Sequence, residues 1–233
     1  MNRLVNLGKT GVLVAARMGS TRLPGKALKE IGGKPMILFL LARLSQSQLV
    51  DKVIFCTTDL GEDDYLANLV KDEGYDVFRG ENADVVKRYV DAAKYFQIDT
   101  VVRVTGDCPF VDGESLDFCL SSADQMVPFD LVSTKGYFPV GIDYEIYPSS
   151  VITNLFFSGN LSTEDKEHLT LYLYNNVDDF CVKRVKPRQE WRDDKNQYTV
   201  DTADDYASAC ELVRKLKVDF SIEQLLKAAS YED

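Results

Sequence analysis

Arg17, Arg22 and Lys26 fall within ten residues of one another in 15–27, AARMGSTRLPGKA, a stretch with two glycines and no acid. Such a loop offers anion binding. Its cations supply charge, and glycine lets backbone N–H donors approach a phosphate. It does not match the G-x-x-x-x-G-K-[ST] phosphate loop. Five residues, not four, separate Gly19 from Gly25, and Ala27 stands where that loop's metal-binding hydroxyl belongs. A solvated basic turn is the plain alternative.

Two acids could complete a site of this kind. Asp107 lies in TGDCPFVD, directly after the apolar VVRV, and Asp201 lies in YTVDTADD, at another expected strand-to-helix junction. Each has a structural alternative: Asp107 as a turn or helix cap, Asp201 as an N-cap. Taken together with the basic loop, they suit a nucleoside triphosphate arriving with Mg2+, which prefers a few carboxylate oxygens plus phosphates and water. Attack by a hydroxyl on the α-phosphorus would then expel pyrophosphate. Catalysis would lie in positioning and in neutralising charge on the phosphate oxygens.

The rest of the chain must place these residues. The 233 residues are 45% hydrophobic, enough for one substantial core. The formal net charge of −10 argues against a general nucleic-acid binder and makes the basic loop stand out as a site for a small anion. No apolar run is long enough to span a bilayer; MILFLLARL is interrupted by Arg43. The N-terminus shows no secretory signal, so a cytoplasmic location is expected. Cys56, Cys108, Cys119, Cys181 and Cys210 are scattered and never spaced C-x-x-C, which argues against a disulfide framework or structural zinc site. Most are expected in the core.

Strands are expected at 11–16, 52–57, 75–78, 99–105 and 129–133, alternating with helices near 35–46, 62–73, 83–96 and 113–123. This rhythm predicts an α/β fold with a mainly parallel sheet covered by helices, its ligands beyond the carboxyl ends of the strands. After residue 134 the pattern changes: an extended GYFPVGIDYEIYP, helices at 149–158 and 163–175, a strand at 180–185, a short strand QYTVD, and a helix over 203–216 capped by Thr202 with Asp205. One domain spanning 1–233, with an inserted arm at about 135–180, is the economical reading.

ARMGSTRLPGK, IGGKPM, TTDLGEDD, VFRGENADVVKRY, VVRVTGDCPFVD, PVGIDYEIY, EHLT and YTVDTADD occur in order over residues 11–210. In this series the chain resembles the acylneuraminate cytidylyltransferase family, which includes CMP-sialic acid and CMP-Kdo synthetases. It is most similar to the branch of spore coat polysaccharide biosynthesis proteins. The resemblance implies a Rossmann-like nucleotide-diphospho-sugar transferase fold, often dimeric, with helices on both faces of the sheet and the arm in dimerisation. It implies Mg2+-dependent transfer of CMP from CTP to a hydroxyl, classically of a sugar acid, for surface polysaccharide.

By that resemblance Arg17, Ser20, Arg22 and Lys26, with Ala15 and Gly19, would hold the triphosphate. Asp107 and Asp201 would bind the metal. The stretch from Arg79 to Arg88, with Asp84, would serve the base and ribose. Asp143, Glu145, Glu167 and His168 are candidates to face a small, hydroxylated, anionic acceptor. His168, the one histidine, could equally be structural, and Arg103 could be a buried partner of Asp107 or an acceptor contact. Aromatic residues around 137–157 read as core or dimer contacts. The CMP-Kdo synthetases carry a GDEP-like motif where this chain has Gly106-Asp107-Cys108-Pro109, so Asp107 keeps the Kdo-type position but the resemblance does not supply the acceptor pocket. Two other readings share these features: a glycosyltransferase of related fold, for which GDC offers only one acid of a D-x-D, and a silent nucleotide-binding protein.

Overall fold

The computed structural model describes residues 4–217 and 219–230. Seven strands form one sheet in the order β5-β4-β1-β6-β8-β7-β9. At its centre, β1 (Thr10–Ala15) pairs in parallel with β4 (Lys52–Thr58) on one side and β6 (Thr100–Thr105) on the other. Outside β4 lies the parallel β5 (Asp76–Gly80). On the other flank β8 (Glu145–Pro148) runs antiparallel to both β6 and β7 (Leu131–Ser133), and β7 pairs in parallel with β9 (Val182–Arg184). A two-stranded ribbon, β2 (Glu30–Ile31) with β3 (Lys34–Pro35), stands apart.

The apolar runs are continuous because both faces of the sheet are covered. Val12 and Val14 of β1 join one core, whereas Leu13 joins the other. The first core also holds residues of α1 (Met36–Leu44), α2 (Asp64–Asp72), α4 (Gly113–Asp124), α8 (Ala203–Leu216) and α9 (Ile222–Ala229). The second holds residues of α3 (Val85–Phe96), α5 (Ser149–Ser158) and α7 (Leu171–Asn175). Cys56, Cys108 and Cys119 are buried; Cys181 and Cys210 are not. Among the described residues, no helix is long and apolar enough to cross a membrane.

The α/β fold with its mainly parallel sheet and helices on both faces is as expected, and three details differ. QYTVD forms no strand: Gln197 makes one isolated bridge to Val140, and the Tyr198 amide donates to the Val140 carbonyl (2.8 Å). The helix expected over 163–175 splits into α6 (Thr163–Glu167) and α7, the backbone leaving helical geometry at His168 and Thr170 between them; there the Thr170 hydroxyl donates to Glu145 Oε1 (2.7 Å). Within the expected 135–180 arm, β8 is an internal strand of the main sheet rather than a projection from it.

Candidate active site

Gly106 brings the basic loop and the Asp107 loop together. Its N–H donates to the Ala15 carbonyl (2.8 Å), and a Cβ at this position would lie 2.5 Å from Ala16 Cβ. Only glycine permits that approach. Asp201 is drawn in by a separate tie, the Val200 amide donating to the Asp107 carbonyl (2.8 Å). Gly141, at φ +86°, passes so close to Tyr198 and Thr199 that a Cβ would meet their backbone at 2.6 Å. Thr202, not Asp201, caps α8, with Asp205 completing the capping box as expected. Asp201 is therefore free to face the cleft.

Lys26 Nζ joins the two acids, lying 3.1 Å from Asp107 Oδ2, 3.0 Å from Asp201 Oδ1 and 3.0 Å from the Val200 carbonyl. Arg22 adds a second ion pair to Asp201 Oδ1 (2.9 Å). Burial would raise the Asp107 carboxyl, but the Lys26 ammonium and the Thr105 hydroxyl outweigh it and hold the group below its ordinary value. Two carboxylates and a carbonyl thus converge on one cation, an all-oxygen donor set of the type that suits a hard divalent ion.

These groups line a cleft of about 510 Å3 at the carboxyl ends of β1 and β6. Ala15, Arg17, Gly19, Ser20, Arg22 and Lys26 line its loop side, and Arg88, Glu167 and His168 close it from α3 and α6. Arg17 Nη1 donates to Asn82 Oδ1 (3.1 Å), tying the loop to the segment before α3. Arg88 is buried and donates to the Glu81 carbonyl (2.9 Å), while its Nε has no partner. His168 and Glu167 are exposed at the end of α6.

Arg79 and Asp84 lie off this cleft. Arg79 donates to the carbonyls of Thr58 and Leu60 and pairs with Asp64 (2.6 Å), securing the connection from β4 to α2. Asp84 is the N-cap of α3, accepting from the Lys87 amide (2.7 Å). Both side chains are engaged in building the backbone frame.

Arg103, Asp143 and Glu145 line a second, smaller cavity of about 120 Å3 with Lys135 and Thr105; Thr105 also lines the main cleft. Arg103 pairs with Glu145, not with Asp107. Glu145 is enclosed by Arg103, Lys135 (3.0 Å), Thr170 and Tyr174 (2.8 Å). Burial would raise its carboxyl, but these partners carry it down to about 2. With its oxygens so occupied, Glu145 anchors the segment bearing Glu167 and His168 rather than presenting a free acceptor contact. Asp143 differs: burial, with the nearby Glu145 and Asp107 charges, pushes it up to about 6 against the pull of Lys135 and Arg103.

Asp63 is a positioning residue hidden in the sequence. Its buried carboxylate accepts from the Met18 amide (2.7 Å) and the Thr58 hydroxyl, fixing the basic loop from below. As the middle of three adjacent acids, Glu62, Asp63 and Asp64, at a helix start it reads only as a cap.

The family model for cytidylyltransferases matches residues 11–229. The chain belongs to the cytidylyltransferase family. It is 32% identical over 224 residues to the spore coat polysaccharide biosynthesis protein SpsF of Bacillus subtilis (strain 168), covering 92% of this chain and 91% of that one. A cytidylyltransferase from Leptospira borgpetersenii serovar Hardjo-bovis (strain JB197) superposes with a TM-score of 0.89 at 33% identity, covering 96% of this chain and 94% of that one. The CMP:2-keto-3-deoxy-manno-octonic acid synthetase complexed with CTP shares the fold, with a TM-score of 0.71 at 18% identity over 90% of this chain and all of that one. The cytidylyltransferase is thus a nucleotidyltransferase built on a nucleotidyltransferase fold, and its cleft sits where such sheets collect ligands.

Proposed function

We propose that the enzyme transfers CMP from CTP to a hydroxyl of a sugar acid or related polyhydroxy acceptor, releasing pyrophosphate, in surface polysaccharide or glycoconjugate synthesis. The observation that carries this reading is the convergence of Lys26 on Asp107 and Asp201 beside Arg22, at the mouth of a cleft large enough for a nucleotide. The CTP complex of the synthetase that shares this fold and the polysaccharide role named for SpsF support it.

Asp107 and Asp201 would hold a divalent ion, Mg2+ in the simplest case. When bound, that ion supplies neutralisation of negative charge on the phosphate oxygens. Arg17, Arg22 and Lys26 would grip the β- and γ-phosphates and the departing pyrophosphate, with Gly19 and Ser20 lending backbone approach and Ala15 lining the floor. Arg88 lines the cleft from α3 and would add positive charge toward the nucleotide. The acceptor would enter from the side of Glu167, His168 and Thr105, and the smaller cavity of Arg103 and Asp143 would orient its outer groups.

The protein would act as one catalytic domain in the cytoplasm. The segment at about 135–180 would contribute acceptor contacts and a homodimer surface, supported by exposed Tyr137, Val140, Phe157 and Val177. Purified protein with CTP, Mg2+ and candidate acceptors should release pyrophosphate; silence with every nucleotide and acceptor would refute the assignment. A thermal-shift series with CTP, UTP, ATP and GTP reports the base, since the preferred nucleotide raises stability most.

A further inference from the structure

The acids read above as metal ligands are already neutralised by the protein. Lys26 Nζ contacts Asp107 Oδ2, Asp201 Oδ1 and the Val200 carbonyl at 3.0–3.1 Å, and its side chain is 16% exposed. Arg22, the other cation on Asp201, is 67% exposed, so water and salt screen its hold. The tight counter-ion is Lys26.

Two carboxylates facing one ammonium and one guanidinium carry no net charge, so a divalent ion gains little by entering without nucleotide. It would have to evict an ammonium from three oxygen contacts. A triphosphate changes the balance by offering the Lys26 ammonium new anionic partners in the same cleft. The long, flexible stem of lysine suits such a transfer, and its compact charge can serve either set of oxygens.

We propose that Lys26 is an internal counter-ion that withholds Asp107 and Asp201 from divalent metal until a nucleoside triphosphate draws its ammonium away, so that metal and nucleotide bind cooperatively. This inference rests on reading Asp107 and Asp201 as the metal carboxylates. The coupling is reciprocal: metal bound to the two acids frees Lys26 for phosphate, and phosphate on Lys26 frees the acids for metal.

The test counts bound Mn2+ by electron paramagnetic resonance, with no nucleotide and no turnover. Lys26→Met should bind Mn2+ on the order of tenfold more tightly than wild type, the scale of relieving two partly exposed ion pairs. Lys26→Arg should stay near wild type, and adding Asp107→Asn to Lys26→Met should erase the gain. Equal or weaker binding by Lys26→Met overturns the inference. Wild-type melting gives a second measure that does not depend on the variant folding. Mg2+ alone should leave the midpoint nearly unmoved, and Mg2+ with CTP should raise it by more than the two separate shifts combined. A full shift with Mg2+ alone overturns the counter-ion role while leaving the metal site standing. If no mixture of CTP and metal moves the midpoint, the nucleotide reading itself falls, and this inference with it.

Discussion

The backbone amide of Val200 donates to the carbonyl of Asp107 at 2.8 Å, so the two acidic loops are joined by main chain before any ligand arrives. The pair Asp107 and Asp201 is therefore preorganised: its spacing depends on a hydrogen bond that side-chain substitution leaves in place. This separates chemistry from folding. Asp107→Asn should lower pyrophosphate release by about 100-fold or more, the usual scale for removing one electrostatic contact to a transition state. Circular dichroism and the melting midpoint should change little. Retained activity would remove Asp107 from the proposed metal site.

Gly106 offers a test on the backbone side. A Cβ there would meet Ala16 Cβ at 2.5 Å and the Ala15 carbonyl at 3.0 Å, and neither neighbour is the end of a flexible side chain. Gly106→Ala must push the two loops apart. It should cost on the order of 2 kcal/mol in urea unfolding, as overpacking does, and lower activity by widening the gap between the basic loop and Asp107. An alanine variant with unchanged stability and rate would show that the loops need not touch.

Glu145 carries a pH-dependent share of stability. Its carboxyl lies near 2 in the fold against an ordinary value of 4.5, and its side chain is only 2% exposed. A depressed carboxyl contributes fully above pH 4.5, and that contribution is lost as pH falls from there toward 2. The shift corresponds to something on the order of 3 kcal/mol. Glu145→Gln should lose about that much at pH 7, because Arg103 is left buried without its partner. The deficit should shrink steadily below pH 4.5 and approach zero only at about pH 2 and below, measured by urea melts across pH.

The central strands and their helices were legible because each apolar run is bounded by polar or glycine residues at the expected spacing. The basic loop and Asp107 were legible for a related reason: they follow β1 and β6, and parallel sheets present those ends together. Asp201 follows no strand; its segment reaches Asp107 through the Val200 amide. What stayed hidden depended on long-range partners. Nothing local tells that Arg103 answers to Glu145 rather than Asp107, or that the Thr170 hydroxyl donates to the same carboxylate where the helix breaks. Arg79 and Asp84 sit in a motif that suggested nucleotide contact, yet their side chains are bound to carbonyls, Asp64 and a helix N-terminus. QYTVD has strand composition, but its amides go to Val140 and Asp107, which lie in loops.

Asp143 is the converse of Glu145 and gives the sharpest test of function against stability. Its carboxyl is raised to about 6 from an ordinary 3.8, chiefly by burial, then by the charges of Glu145 and Asp107. A raised carboxyl costs the fold: the penalty is absent below pH 3.8, grows as pH rises, and is complete above 6. Asp143→Asn should therefore stabilise the protein at pH 7.5, on the order of 1–2 kcal/mol after allowing for partial solvent access, and leave it unchanged near pH 3.5. In the small cavity that Asp143 lines with Thr105, its charge would face a hydroxyl of the proposed acceptor. The same variant should raise the KM for acceptor while leaving the KM for CTP near wild type. Stabilisation at pH 7.5 with unaltered acceptor kinetics would make Asp143 a strained residue without a part in the reaction.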